Sequence, residues 1–264
     1  MTKHLGKRYN FERKSRWGSE RKMPRFFIEE EPAGEYFVGG ENGAHMVKSL
    51  RMRPGEKAVL CAGTGKDFLC TLLECREDGA LVRVDEVTES RGEPKVKVTV
   101  CQCRPKGDKL ETVVQKAVEL GAWEILPVES ARCISRPDEK AAAKKGKRLQ
   151  KVALEAAQQS GRGRVPTVLP PVTLEEALKT AAKEGDILFC YENGRDSLKE
   201  ALRPAGDRLF LFVGPEGGFA PEEAALAQKY GAKLLTLGNR ILRTETAPLA
   251  ALSAILYEYG EFEL

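Results

Sequence analysis

Residues 208–260 read RLFLFVGPEGGFAPEEAALAQKYGAKLLTLGNRILRTETAPLAALSAILYEYG, and this stretch decides the fold. Residues 208–213 read as a strand whose apolar run, 209–213, is ended by the glycine-rich turn Gly214, Pro215, Glu216, Gly217, Gly218. The pattern then predicts a helix over 221–230, a strand over 233–237 and a closing helix over 247–259, where Leu249, Leu252, Leu256 and Tyr259 share one face. Upstream, the same rhythm gives strands at 96–101, 123–128 and 186–191 and helices at 109–120, 139–160 and 174–184. Alternating strands and helices imply an α/β fold, a mostly parallel sheet with helices on both sides.

Ahead of residue 96 the pattern changes. Runs at 35–38, 57–61, 68–74 and 80–87 are β-like and separated by glycine-containing turns, which suggests a small β-barrel. Gly63-Thr64-Gly65-Lys66 looks like the end of a phosphate-binding loop. However, Leu60 stands where the leading glycine belongs, Asp67 replaces the magnesium-holding Ser or Thr, and a strand follows, so the segment reads as a hairpin turn. The chain therefore divides into a basic arm over 1–22, expected to be disordered, a β-rich domain over 23–95 and an α/β domain over 96–264.

At 264 residues with 42% hydrophobic and 31% charged side chains, the composition is that of a globular protein. No apolar run approaches the roughly 20 residues of a membrane span, and residues 1–22 lack the apolar stretch of a signal peptide, so a cytoplasmic location is expected. The first 22 residues hold eight basic against two acidic side chains, so they carry +6 of the net +4 and residues 23–264 carry −2. A nucleic-acid partner therefore does not follow from net charge. The seven cysteines form no C-x-x-C pair, and with only His4 and His45 available no metal site is expected.

Three stretches can carry chemistry. The glycine turn after residue 213 sits where open α/β sheets bind ligands, beyond a strand's carboxyl end, although it also reads as an ordinary tight turn. Residues 237–247 place Gly238, Arg240, Arg243 and Glu245 at the same end; Thr246 reads as a helix N-cap with Pro248 in the first turn, but capping does not explain the arginines. Finally, Lys140, Lys144, Lys145, Lys147, Arg148 and Lys151 make a basic helix face that on its own reads as solvated surface, while Arg162 and Arg164 lie among glycines in a setting suited to phosphate.

Taken in order, Met23-Pro24-Arg25-Phe26-Phe27, His45 with Leu50-Arg51, KGDKLETVVQKAVELG at 106–121, EAAQQSGR at 155–162, the glycine turn at 214–219 and LGNRILRTETA at 237–247 resemble one family, the ribosomal RNA small subunit methyltransferase E group of the SPOUT superfamily. The resemblance covers 23–264 and implies an N-terminal PUA-like barrel and a C-terminal domain closed by a trefoil knot. It implies a homodimer that uses S-adenosylmethionine to methylate N3 of a uridine in 16S rRNA, within the 30S subunit or as bare rRNA, with neither membrane nor metal.

By the same resemblance, the cofactor lies in a cleft of three loops: Tyr191 and Glu192; Gly214, Pro215, Glu216, Gly217 and Gly218; and Leu237, Gly238, Arg240, Ile241 and Leu242, with Thr246 and Ala247 beyond. Catalytic candidates are Arg243 for the uracil oxygens, Glu245 as base or orienting group, and Arg25; RNA candidates are Arg25, Arg51, Lys144, Lys147, Arg148, Arg162 and Arg164. One departure is Ala220, where the family carries a capping Ser or Thr. Alternatives are a ribose 2′-O-methyltransferase of the same fold, or a non-catalytic RNA-binding protein that retains it.

Overall fold

Alternation of side chains along the strands sets the architecture. The computed structural model describes residues 23–134, 139–203 and 205–263, so the arm expected over 1–22 lies outside the described residues. The first elements are β1 (Arg25–Phe27), β2 (Glu35–Val38), α1 (Gly40–Ala44) running into one π-helical turn (His45–Ser49), β3 (Lys57–Cys61), β4 (Lys66–Arg76) and β5 (Gly79–Glu89). They form a sheet in the order β1-β3-β4-β5-β2, antiparallel except for the β1–β3 pair, around a core that includes Phe26, Met46, Leu60, Phe68 and Val82. Cys61 pairs with Asp67 across the Gly63–Gly65 turn, as expected of a hairpin.

The rest of the chain alternates: β6 (Lys97–Cys103), α2 (Lys109–Leu120), β7 (Glu124–Glu129), α3 (Glu139–Ser160), β8 (Thr167–Val168), β9 (Val172–Thr173), α4 (Leu174–Glu184), β10 (Asp186–Cys190), β11 (Asp196–Ser197), α5 (Leu198–Leu202), β12 (Arg208–Val213), α6 (Pro221–Lys229), β13 (Lys233–Thr236) and α7 (Ala247–Glu258). The sheet order is β11-β13-β10-β12-β6-β7-β8, with β9 also on β7, and every recorded pair is parallel. Leu188, Leu209 and Leu211 point to one face, against Val113, Ala153 and Leu252 of α2, α3 and α7; Phe189, Phe210 and Phe212 point to the other, against Leu178 and Ala224 of α4 and α6. Both faces are thus apolar and covered, as a parallel sheet requires. Among the described residues no helix is long and apolar enough to cross a membrane.

Two of the candidate arginines are engaged within the structure. Arg162 is 2% exposed; its Nε and Nη2 donate to Glu93 at 2.9 and 2.7 Å, and its Nη1 and Nη2 donate to the carbonyls of Val118 and Ala122 at 2.8 and 3.1 Å. The same carboxylate accepts from the backbone N–H groups of Gly163 and Arg164, so Arg162 locks the segment between the two sheets to the end of α3, with four of its five N–H donors taken up there. Arg25 donates to both oxygens of Asp67, at 2.7 and 2.6 Å, within the N-terminal sheet. Asp67, the residue that spoils the phosphate-loop pattern, is the partner Arg25 needs.

Removing one member of a buried, hydrogen-bonded ion pair leaves the other uncompensated. Arg162→Leu is expected to lower unfolding free energy by about 3–5 kcal/mol, read as a shift of the urea midpoint. A loss under about 1 kcal/mol, the scale of an exposed pair, would contradict the assignment.

Candidate active site

Because β13, β10 and β12 are neighbours in a parallel sheet, the loops that follow them leave the sheet side by side at its carboxyl end. Together they enclose a cleft of about 420 Å³. Tyr191 and Glu192 come from the first loop, Gly214 to Gly218 from the second, and Leu237, Arg240, Ile241, Leu242 and Arg243 from the third, with Ala247 at the head of α7. The two remaining sequence candidates for this wall fall outside it. Gly238, at φ +95°, makes the turn that starts the third loop. Thr246 faces solvent with helical backbone and no side-chain capping bond, because the turn before α7 is already closed by Ala247 N–H donating to Arg243 O at 2.9 Å.

Thr244, two residues earlier, does the structural work and was missed in the sequence. Its hydroxyl donates to Gly214 O at 2.8 Å and accepts from Gln102 Nε2 at 3.0 Å, and that amide also reaches Gly214 O at 3.4 Å. Gln102, the last residue but one of β6, is fully buried and Thr244 is 6% exposed, so a buried polar clasp ties the third loop to the second at the cleft wall. A glutamine near the end of the mostly apolar Val98–Cys103 run was the signal available for it.

Lys109, at the start of α2, stands at the mouth. Its Nζ donates to Glu216 Oε1 at 2.9 Å and lies 3.5 Å from Glu245 Oε2; Lys106 N–H also donates to Glu216, at 3.1 Å. Burial opposes ionisation of Glu216, but the Lys109 hydrogen bond and the backbone N–H groups of Glu216 and Lys106 prevail and hold its carboxyl below the usual carboxylate range. Glu245 therefore sits beside the cleft wall, held toward Lys109. Arg240 and Arg243 are exposed, and neither has a hydrogen-bond or ion-pair partner among the described residues, so two free guanidiniums point their charge at the mouth. Ile241 between them is 83% exposed, an apolar side chain held in water at the rim. Burial pushes the Cys190 thiol up to about 12, which makes it neutral apolar wall and not a nucleophile.

The other RNA candidates are scattered. Arg51 is exposed at φ +51°, the non-glycine residue in the left-handed region among those described. Lys144 and Lys147 are exposed on α3, Arg148 pairs with Glu111 at 2.8 Å, and Arg164 lies over the Trp123 ring at 3.5 Å. At the head of α6, Ala220 offers no capping oxygen, yet Glu223 still accepts from Ala220 N–H and also from Ala131 N–H, both at 2.8 Å. No group of metal-ligating side chains occurs among the described residues.

Comparison with known proteins gives consistent matches over this architecture. The model of an RNA methyltransferase domain matches residues 92–256, and that of an RNA methyltransferase PUA domain matches 38–85. The chain is 37% identical over 248 residues to ribosomal RNA small subunit methyltransferase E of Bacillus subtilis, covering 89% of this chain and 97% of that one. It is 33% identical over 224 residues to the protein of the same name from Mycobacterium tuberculosis, covering 83% and 84%. A crystal structure of the Neisseria gonorrhoeae ribosomal RNA small subunit methyltransferase E bound to S-adenosylmethionine is similar at TM-score 0.81 and 34% identity, covering 90% of this chain and 98% of that one.

The Lys109–Glu216 contact has a measurable consequence. A carboxyl whose folded pKa is depressed contributes stability above its unfolded pKa and loses it as pH falls through the folded one. Lys109→Met is expected to return the Glu216 titration, followed by side-chain carbon NMR, toward the ordinary carboxylate range and to move the acid-unfolding midpoint to higher pH. An unmoved Glu216 titration would remove Lys109 from the account.

Proposed function

This chain belongs to the ribosomal RNA small subunit methyltransferase E family, and from that premise we propose that it transfers a methyl group from S-adenosylmethionine to N3 of one uridine in 16S rRNA. The observation that carries the reading is the cleft itself: three loops from adjacent parallel strands, clasped at the wall, with unpaired arginines at the mouth.

The lining fits the cofactor. Val213, Leu237, Leu242 and Ala247 supply apolar wall for an adenine ring, while the peptide groups of Gly214 to Gly218 are approachable because little side chain covers them. Glu192 and Glu216 offer negative charge for a sulfonium and an ammonium group. When bound, S-adenosylmethionine supplies an already activated methyl group, so the protein's task is position and proton management.

N3 of uridine carries an imide proton and has no useful lone pair until that proton leaves. Arg243, free and at the mouth, stabilises the negative charge that then develops on the uracil oxygens. Glu245 accepts the proton, with Lys109 at 3.5 Å holding its carboxylate in place. N3 lies on the Watson–Crick edge, so the uridine enters unpaired, and the positive mouth suits the phosphates on either side.

The finer architecture belongs to the same reading. The N-terminal unit, assigned to 23–95, is a PUA-like RNA-binding barrel; register shifts at Leu69/Cys70 and Leu72/Glu74 support the curvature this needs. Residues 96–264 form the methyltransferase domain with a trefoil knot. In support, β13 lies outside β10, yet the chain after it returns so that Thr244 reaches the end of β12 and α7 packs on β6 and β12. The exposed apolar side chains Ala250, Ala254, Tyr257 and Phe262 of α7 and the segment after it support a homodimer. The substrate is the rRNA of the 30S subunit, in the cytoplasm.

Incubation with methyl-labelled S-adenosylmethionine and either 30S subunits or bare 16S rRNA is expected to place label on N3 of a single uridine. Label on a ribose 2′-hydroxyl, or none, would reject the reading. Arg243→Ala is expected to lower kcat by roughly 10²–10³-fold with cofactor affinity retained. Glu245→Gln is expected to lower the single-turnover rate and remove its rise with pH on the acidic side, whereas a full rate across the pH range would end the base assignment.

A further inference from the structure

The carboxyl end of the parallel sheet carries a second cavity, of about 520 Å³, within the range of about 300–1,000 Å³ usual for small-ligand sites. Its apolar wall includes Leu149 of α3 and Leu169, Pro170 and Pro171 from the connection between β8 and β9. Its polar side is Arg104, which is 6% exposed and donates from Nη1 to Glu129 at 2.8 Å. Lys145 and Lys147 complete the rim.

Gly146 lines this space. It stands inside α3, where glycine is unfavourable relative to alanine, yet a Cβ built on it would meet nothing within 4 Å. One short stretch separates the cavity from the reactive cleft: Lys145 Nζ donates to Gly107 O at 3.3 Å, while the flanking Lys106 and Lys109 hold Glu216 of the cleft.

We propose that this cavity receives an unpaired nucleotide of the RNA substrate flanking the target uridine, a reading that rests on the methyltransferase function above. The base lies against the leucine and proline wall, its polar edge meets Arg104 and Glu129, and its phosphate meets Lys147 and the neighbouring exposed Lys144. A nucleotide matches all three surfaces, since it has apolar faces, a polar edge and negative charge. An apolar peptide would leave the lysines unanswered, and the chain's own arm over 1–22, at +6, is repelled by them.

The test uses the full chain and a 16S-derived ribo-oligonucleotide with 4-thiouridine at positions flanking the target. Irradiation is expected to crosslink it to residues 142–149 or 168–171. Gly146→Phe, whose ring grows into the open space, is expected to raise the KM for this RNA about tenfold while leaving S-adenosylmethionine affinity unchanged by calorimetry. Crosslinks confined to other faces would overturn the proposal whether or not the variant folds, and so would an unchanged KM in a folded variant. Crosslinking of these residues to a ribosomal protein in 30S subunits, with none to RNA, would do the same. Methylation by the wild type with an indifferent Gly146→Phe rejects the cavity alone; absence of methylation by the wild type rejects the underlying function, and the cavity with it.

Discussion

The buried contact among Gln102, Thr244 and the carbonyl of Gly214 is the constraint on which the rest depends. Gln102 and Thr244 are 142 positions apart, and they meet although β13, which precedes Thr244, lies on the far side of β10 from β12. A hydroxyl and an amide placed in a dry interior lose their water, and that loss is made good only when each finds its partner. An arrangement of the last loop that fails to bring Thr244 to Gly214 leaves the buried Thr244 hydroxyl without the carbonyl it meets here, while Gln102 Nε2 has a further acceptor in Cys103 O at 2.8 Å. The clasp therefore selects one path for the C-terminal segment and fixes the second and third loops relative to each other before a ligand arrives, which is what a preorganised site requires.

Around this point the charges are arranged unevenly. Lys109 is occupied by Glu216 and Glu245, Arg162 by Glu93 and Arg25 by Asp67, while Arg240 and Arg243 keep their charge for the mouth. Burial and bidentate pairing mark the arginines that hold the structure together, whereas Arg240 and Arg243 are exposed without a partner among the described residues. The basic surplus of the sequence lies in residues 1–22, so recognition by the remainder rests on placed side chains and not on net charge.

Much of the fold was legible in the sequence because it rests on local periodicity: the 3.6-residue pattern of α2 and α3 and the apolar runs of β6, β10 and β12 carry their own signal. The two-residue strands β8, β9 and β11 carry none, since two residues cannot show a period. The three cleft loops were readable from glycine spacing and family likeness. What escaped depends on partners distant in the chain. Arg162 looked like a phosphate ligand among glycines until Glu93, 69 positions away, claimed it, and Thr246 looked like the cap while Thr244 made the bonds. Lys109 and Gln102 lay inside a helical and a mostly apolar segment and acquired meaning only when the sheet order set them beside Glu216 and Gly214.

The central claim is that these loops form one S-adenosylmethionine site held in shape by the clasp, and titration calorimetry of the purified chain with S-adenosylmethionine, beside Thr244→Val, tests it most directly. The account predicts one cofactor bound per chain and an affinity about tenfold weaker in a folded Thr244→Val protein, the scale of a lost buried hydrogen bond. Undetectable binding to the wild type, or equal affinity in the variant, would contradict it.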